Sequence, residues 1–216
     1  MRDAVRTPSS QRGSRLLRWV AYLLVIGGGA ALGWSLGVMA DAHLAQRQAR
    51  ERLESMPAAT TSSAPALTAP ARATPEAGTP LAELSIPRIG LSVVVLEGSD
   101  EQTLHRGLGH IETTPLPGES GNVAIAGHRD SFFRPLRNIQ VGDDIMLDTP
   151  GERVHYRVSS FHVVNPSEVS VIDPTNDAVL TLVTCFPFYF VGSAPDRFVV
   201  RASLVRDGEQ APQHVQ

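Results

Sequence analysis

From Trp19 to Ala40 the chain runs 22 residues without a charge, WVAYLLVIGGGAALGWSLGVMA. A helix that is apolar on every side has no solvent-facing stripe to offer a small soluble fold. At about 1.5 Å per residue it would span about 33 Å, enough to cross the hydrocarbon core of a bilayer. Arg2, Arg6, Arg12, Arg15 and Arg18 precede it, opposed only by Asp3. That excess of arginine predicts a single pass with residues 1–18 as a cytoplasmic tail and everything after the anchor extracytoplasmic, at the cell surface or in a periplasm. Ala40-Asp41-Ala42 also resembles a signal-peptide cleavage site, but the apolar region of a cleaved signal usually runs only about 7–15 residues. An uncleaved anchor at 19–40, with the lipid bilayer as its partner, is the expectation.

Residues 41–56 favour helix with few apolar positions, which reads as a solvated continuation of the anchor helix. Prolines at 57, 65, 70, 75 and 80, set among Ala, Thr and Ser, then give a stretch that cannot bury a core and acts as an extended spacer. Residues 41–80 are therefore a stalk, 81–206 a folded domain, and 207–216 a short tail. Within the domain, β-rich runs alternate with Gly, Pro, Asn and Asp. Leu91–Leu96, Asn122–Ala126, Asp144–Leu147, Val154–Val164, Val179–Thr184 and Phe198–Val205 read as strands. A slip in the apolar alternation at Ser159-Ser160 predicts a bulge, after which Phe161 and Val163 continue the apolar set. Two short helices are expected, Ser99–Arg106 capped by Ser99 and Ser131–Asn138 bent at Pro135. Strands without regular strand–helix alternation predict a mainly β fold, a small barrel or sandwich.

The formal net charge of −3 gives no basic surface for nucleic acid. One cysteine excludes both an internal disulfide and a cysteine-rich zinc site. That cysteine, Cys185, ends an apolar strand and runs into Phe186-Pro187-Phe188, and strand ends that enter loops often carry reacting groups. His128 stands at a similar place, after Ala124-Ile125-Ala126-Gly127. Together they supply a thiolate and an imidazole to manage protons. Arg197, or Arg201 four residues on, offers a cation for a developing oxyanion; spacing alone does not rank the two. Asp130 is a possible orienter of His128 and otherwise an exposed acid or helix cap.

Thr181-Leu182-Val183-Thr184-Cys185 resembles the TLxTC motif of the sortases, the cysteine transpeptidases of bacterial cell surfaces. Ala126-Gly127-His128-Arg129-Asp130 is similar to the stretch around their catalytic histidine, Arg197 in DRFVVRA matches their arginine, and Ile86-Pro87-Arg88-Ile89, near the start of the domain, resembles their first strand. The likeness extends from about Leu84 to Val205, and GHRDSFFRPLRNI and TLVTCFPFYFVGSAPDRF are most like class D. The resemblance implies an eight-stranded β-barrel with Cys185, His128 and Arg197 as the catalytic set. It implies cleavage after the threonine of an LPxTG-like C-terminal sorting signal, a thioacyl-enzyme, and transfer to an amine on a peptidoglycan precursor or a pilin. Thr184, Phe186 and Phe188 are weaker candidates for touching that substrate, Thr184 being otherwise strand packing; Phe186, Phe188, Tyr189 and Phe190 form either a wall for the leucine and proline of the signal or simple loop packing. No cofactor is implied. Some sortases use calcium through loop acids; here Glu97, Asp100, Glu101 and Glu112 read as solvated surface, and His105, His110, His155 and His162 show no persuasive metal-ligand spacing.

The same residues would serve a cysteine protease that resolves the acyl-enzyme with water. An L,D-transpeptidase is disfavoured because Thr184, not a His-Gly pair, precedes Cys185. A non-catalytic membrane-tethered module is the reading from a different class, and it predicts that Cys185 is dispensable.

Overall fold

A computed structural model describes residues 10–56, 75–189 and 192–205, with side chains in the N-terminal helix given for 18–34 and from 44 onward. The predicted tail at 207–216, most of the 57–80 spacer and Phe190 lie outside the described residues. The chain divides into two units, Met1–His43 and Leu44–Gln216.

The first helix, α1, is continuous over Ser10–Ser55. In its first unit the described side chains from Trp19 to Trp34 are exposed, including Leu23, Leu24, Val25 and Ile26. Among the described residues, no helix is long and apolar enough to cross a membrane.

The second unit is a closed barrel of eight strands: β1 (Pro80–Ile86), β2 (Leu91–Glu97), β3 (Leu108–His110), β4 (Asn122–Ala126), β5 (Asp144–Asp148), β6 (Arg153–Val164), β7 (Val179–Phe186) and β8 (Asp196–Leu204). Around the barrel they run β1-β2-β3-β4-β7-β8-β6-β5. Period-2 alternation turns Ala82, Leu84 and Ile86 of β1, Val123 and Ile125 of β4, Ile145 and Leu147 of β5, Leu180 and Leu182 of β7 and Val200 and Ala202 of β8 into one core. The bulge falls between Val158 and Ser160 as expected. Phe161 and Val163 beyond it are nonetheless half-exposed, because β5 pairs with β6 only as far as Arg157 and leaves the rest of β6 to β8 alone.

Of strands β1 and β3, the sequence signals the first only through the resemblance at Ile86-Pro87-Arg88-Ile89, where Ile86 ends the strand and Pro87–Ile89 is a 3-10 turn, and the second not at all. The first starts on a proline, and the second is three residues long with Gly109 at its centre. The short helix α2 (Glu101–Arg106) is capped by Asp100 rather than Ser99: Asp100 Oδ1 accepts from the backbone N–H of Gln102 and Thr103, and Oδ2 from the Thr103 hydroxyl at 2.6 Å. A carboxylate one residue before the first helical turn meets the free N–H groups better than a hydroxyl two residues before it. Ser99 instead donates to Glu112. Arg134–Asn138 is a single 3-10 turn around Pro135.

Residues 44–55 are not the solvated stretch of helix expected there. Gln46, Ala49, Arg50 and the buried Leu53 form one helical stripe, the first three members of which meet β1 and β2. The Gln46 side chain accepts from Val94 N–H at 2.9 Å and donates to the Arg106 carbonyl, while Arg50 pairs with Glu83 at 2.7 Å. Ala49 packs with Val94 and Leu96 on the outer face of β2. The β2–β3 pairing begins only at Val95, so Gln46 satisfies a backbone donor that would otherwise lie on an open strand edge. Two polar positions, Gln46 and Arg50, hid a stripe whose apolar members are only Ala49 and Leu53.

Glu97 is likewise no surface acid. It and His110, register partners on β2 and β3, are almost fully buried and bonded Oε2 to Nδ1 at 2.8 Å. The other ring nitrogen of His110 faces the Pro115 carbonyl at 2.9 Å. Both ring nitrogens are thus committed to buried oxygens, and the ring ties β2, β3 and the Pro115 loop together. Truncating one member strands the other, a loss on the order of 3–5 kcal/mol. His110→Ala should therefore lower the midpoint of thermal unfolding by roughly 10 °C or more, with a joint apolar replacement of both residues costing less. A thermal scan of the two variants checks this.

Candidate active site

Register assembles the site. Cys185 on β7 lies directly opposite Arg197 on β8, and opposed residues of an antiparallel pair put their side chains on the same face. On the other side of β7, β4 runs parallel and ends with Ala126 beside Val183. Two residues further along each chain come His128 and Cys185. Leu180, Leu182 and Thr184 alternate inward, so Cys185 belongs to the outer face of β7. Ala124 and Ala126 share the outer parity on β4, and His128 follows them by two residues. The three residues thus meet at one end of the barrel. The same register ranks the arginines: Arg201 pairs with Thr181, four residues or about 13 Å down the strand.

Two contacts hold β4 and β7 together at their exits. Gly127 N–H donates to the Val183 carbonyl at 3.2 Å, and the Thr184 hydroxyl donates to the Gly127 carbonyl at 2.7 Å. Thr184 is buried on the side of β7 away from Cys185, which makes it a brace between strands and takes it off the face a substrate would meet. Gly127 has no room for a side chain: an added Cβ would come within 2.7 Å of both Leu108 and Phe133. Glycine lets the chain pass over the core and deliver His128.

Cys185 is a free, half-buried thiol. Arg197 is half-buried, and Nη1 donates to the carbonyls of Asp196 at 3.1 Å and Ala194 at 3.5 Å. These bonds tether the guanidinium to its own loop, and its described hydrogen bonds use Nη1 alone. Phe186 and Phe188 pack against the core and around Phe198, with ring centroids 6.3 and 5.3 Å from it. That places both rings mainly in loop packing. Tyr189 stays exposed beneath the Arg137 guanidinium, 5.5 Å from its ring.

Asp130 is exposed and does not bond to His128. The carboxylate paired with His128 is Glu101 of α2, whose Oε1 lies 4.0 Å from His128 Nε2. His105, one helical turn on, has its Nε2 3.1 Å from the same Oε1, and its ring centroid is 5.3 Å from that of His128. Sequence reading treated Glu101 as solvated surface and gave His105 no partner. The signal available was their i,i+4 spacing on a short helix, which puts both on one face; the sequence could not say that His128 lies against that face.

Comparison with known proteins agrees with this geometry. Residues 84–205 match the profile of the sortase domain. Sortase D of Bacillus subtilis is 32% identical over 123 residues, covering 56% of this chain and 62% of that protein. Sortase A of Listeria monocytogenes is 31% identical over 109 residues, covering 49% of each. The chain thus spans between about half and three fifths of these relatives. Among solved structures, a sortase D5 transpeptidase of Clostridium perfringens superposes with a TM-score of 0.56 at 34% identity, over 61% of this chain and 82% of the other. With the barrel, the TLVTC strand and more than half of its length matched, this chain belongs to the sortase family, the cysteine transpeptidases.

Proposed function

We propose that the chain is a membrane-anchored transpeptidase of the class D type that joins secreted proteins bearing an LPxTG-like C-terminal signal to an amine on the cell envelope or on a pilus subunit. The observation that carries this reading is the register that sets Arg197 opposite Cys185 and brings the β4 exit, with His128, to the other side of β7. Cys185 attacks the threonine carbonyl of the signal. Arg197 holds the carbonyl oxygen as it gains charge. His128 gives a proton to the departing amine, leaving a thioacyl-enzyme, and then takes one from the incoming amine. One amide is broken and one is made, so the thioester stores the bond and the reaction asks for no outside energy source.

The uncharged run at 19–40 and the exposure of its described side chains support an anchor in the cytoplasmic membrane, with the N-terminus inside and the barrel outside. The test is to incubate the full chain in detergent with LPxTG-like peptides and an amine, recording intact mass. The expected result is a peptide-sized thioester adduct that gives amine-ligated product. An adduct that yields only hydrolysed peptide with every amine supports the water-resolving protease reading instead.

A further inference from the structure

Glu101, His105 and His128 form a cluster that sortase chemistry as proposed above does not use in full. Their three donor atoms lie within 4.8 Å of one another. The edges from Glu101 Oε1 to the two imidazole Nε2 atoms are 3.1 and 4.0 Å. Tetrahedral zinc with bonds of about 2.0–2.1 Å needs donors about 3.3 Å apart, which the 3.1 Å edge already meets and the other edges reach by closing inward by up to about 1.5 Å. The Nε2 atom of His128 is shielded from water and has no hydrogen-bond partner. At 4.0 Å Glu101 is too far to bond it, so a desolvated nitrogen faces a carboxylate and a second imidazole across a gap.

The helix that carries two of the donors is held firmly. Asp100 caps its start through three hydrogen bonds, and Gln46 of α1 donates to the Arg106 carbonyl at its end. Two nitrogens and one oxygen suit zinc, copper or nickel better than calcium or magnesium, which take oxygen cages. The other early acids do not build such a cage, since Glu97 is committed to His110, Asp100 to its helix and Glu112 to Ser99. A metal here would occupy the His128 nitrogen and withdraw it from proton transfer.

We infer that Glu101, His105 and His128 form a three-ligand site for a borderline divalent metal of the zinc class, and that occupancy switches the enzyme off. The binding half stands on geometry alone; the inhibition half rests on the role assigned to His128 above. Ligands must be deprotonated to bind, so uptake displaces any proton on the two imidazoles.

The experiment is a calorimetric titration of zinc chloride into the full chain in detergent micelles at neutral pH, with acylation by peptide followed in parallel. Wild type and Cys185→Ala should each take one ion per chain, because the thiol is no part of the site. Loss of outer-shell partners alone weakens metal sites about 10–100-fold, so His105→Ala and Glu101→Gln should weaken binding by at least about tenfold. Zinc should slow acylation of wild type, a chelator should reverse it, and His105→Ala should need correspondingly more zinc. Binding that vanishes in Cys185→Ala, or that is unchanged in His105→Ala, overturns the site. Zinc bound at the site without effect on acylation overturns the switch. If no peptide acylates the enzyme, the proposed function fails and the isotherms alone decide the site.

Discussion

Replacing Cys185 with alanine should abolish the peptide adduct and all ligated product while leaving the barrel folded. Cys185 is half-buried one residue before the end of β7, on the outer face, where its sulfur supports no described hydrogen bond and sits outside the core cluster. The stability change should fall within about 1 kcal/mol, as for other substitutions away from core and polar networks. The chemical loss is of a different order. In catalytic groupings that act as a unit, removing the nucleophile costs roughly as much as removing the whole set, on the order of 10⁶-fold. Serine at this position should fare little better, because its hydroxyl needs an activating base that a thiolate does without. Intact-mass spectrometry of the peptide-treated variants, with thermal unfolding as the folding control, checks both halves. A Cys185→Ala chain that still ligates peptide would return the protein to the non-catalytic or unrelated-nucleophile readings.

The residues proposed above to carry the reaction stand out in the sequence where an abrupt change of pattern marks them. Cys185 and His128 both stand where apolar strands meet polar loops, and the strands around them, Asn122–Ala126 and Val179–Phe186, coincide with the expected runs to within two residues. What could not be read was anything decided by contact between distant segments. The parallel pairing of β4 with β7 joins residues about 57 positions apart, and nothing local announces it. Glu97 looks like any strand-end glutamate until β3 brings His110 beside it. The docking stripe of α1 failed for a related reason: Gln46 and Arg50 do their packing through polar ends that a hydropathy pattern counts as solvent-facing. For Thr184 the sequence left substrate contact and strand packing open, and strand alternation decides for packing by sending it inward to the Gly127 carbonyl.

The two arginines of β8 give the sharpest comparison within the site. Both are half-buried and share one strand face, and sequence spacing left them equal. The β7–β8 register separates them, with Arg197 against Cys185 and Arg201 against Thr181. A cation serves an oxyanion only at contact distance, so a group about 13 Å along the strand contributes little beyond a weak field. Arg197→Ala should therefore lower kcat/KM by about 10²–10³-fold, the usual loss when one oxyanion donor is removed, while Arg201→Ala should remain within a few-fold of wild type. Because the charge on oxygen develops only as the thiolate attacks, the loss should appear in kcat more than in KM. Arg197→Lys keeps the charge but not the planar fork anchored on the Ala194 and Asp196 carbonyls, and should recover only part of the rate. Steady-state kinetics of the three variants on one peptide and one amine makes the test. Equal losses at 197 and 201 would mean that the positive field of the strand, not a contact at Cys185, carries the effect, and the oxyanion role of Arg197 would fall.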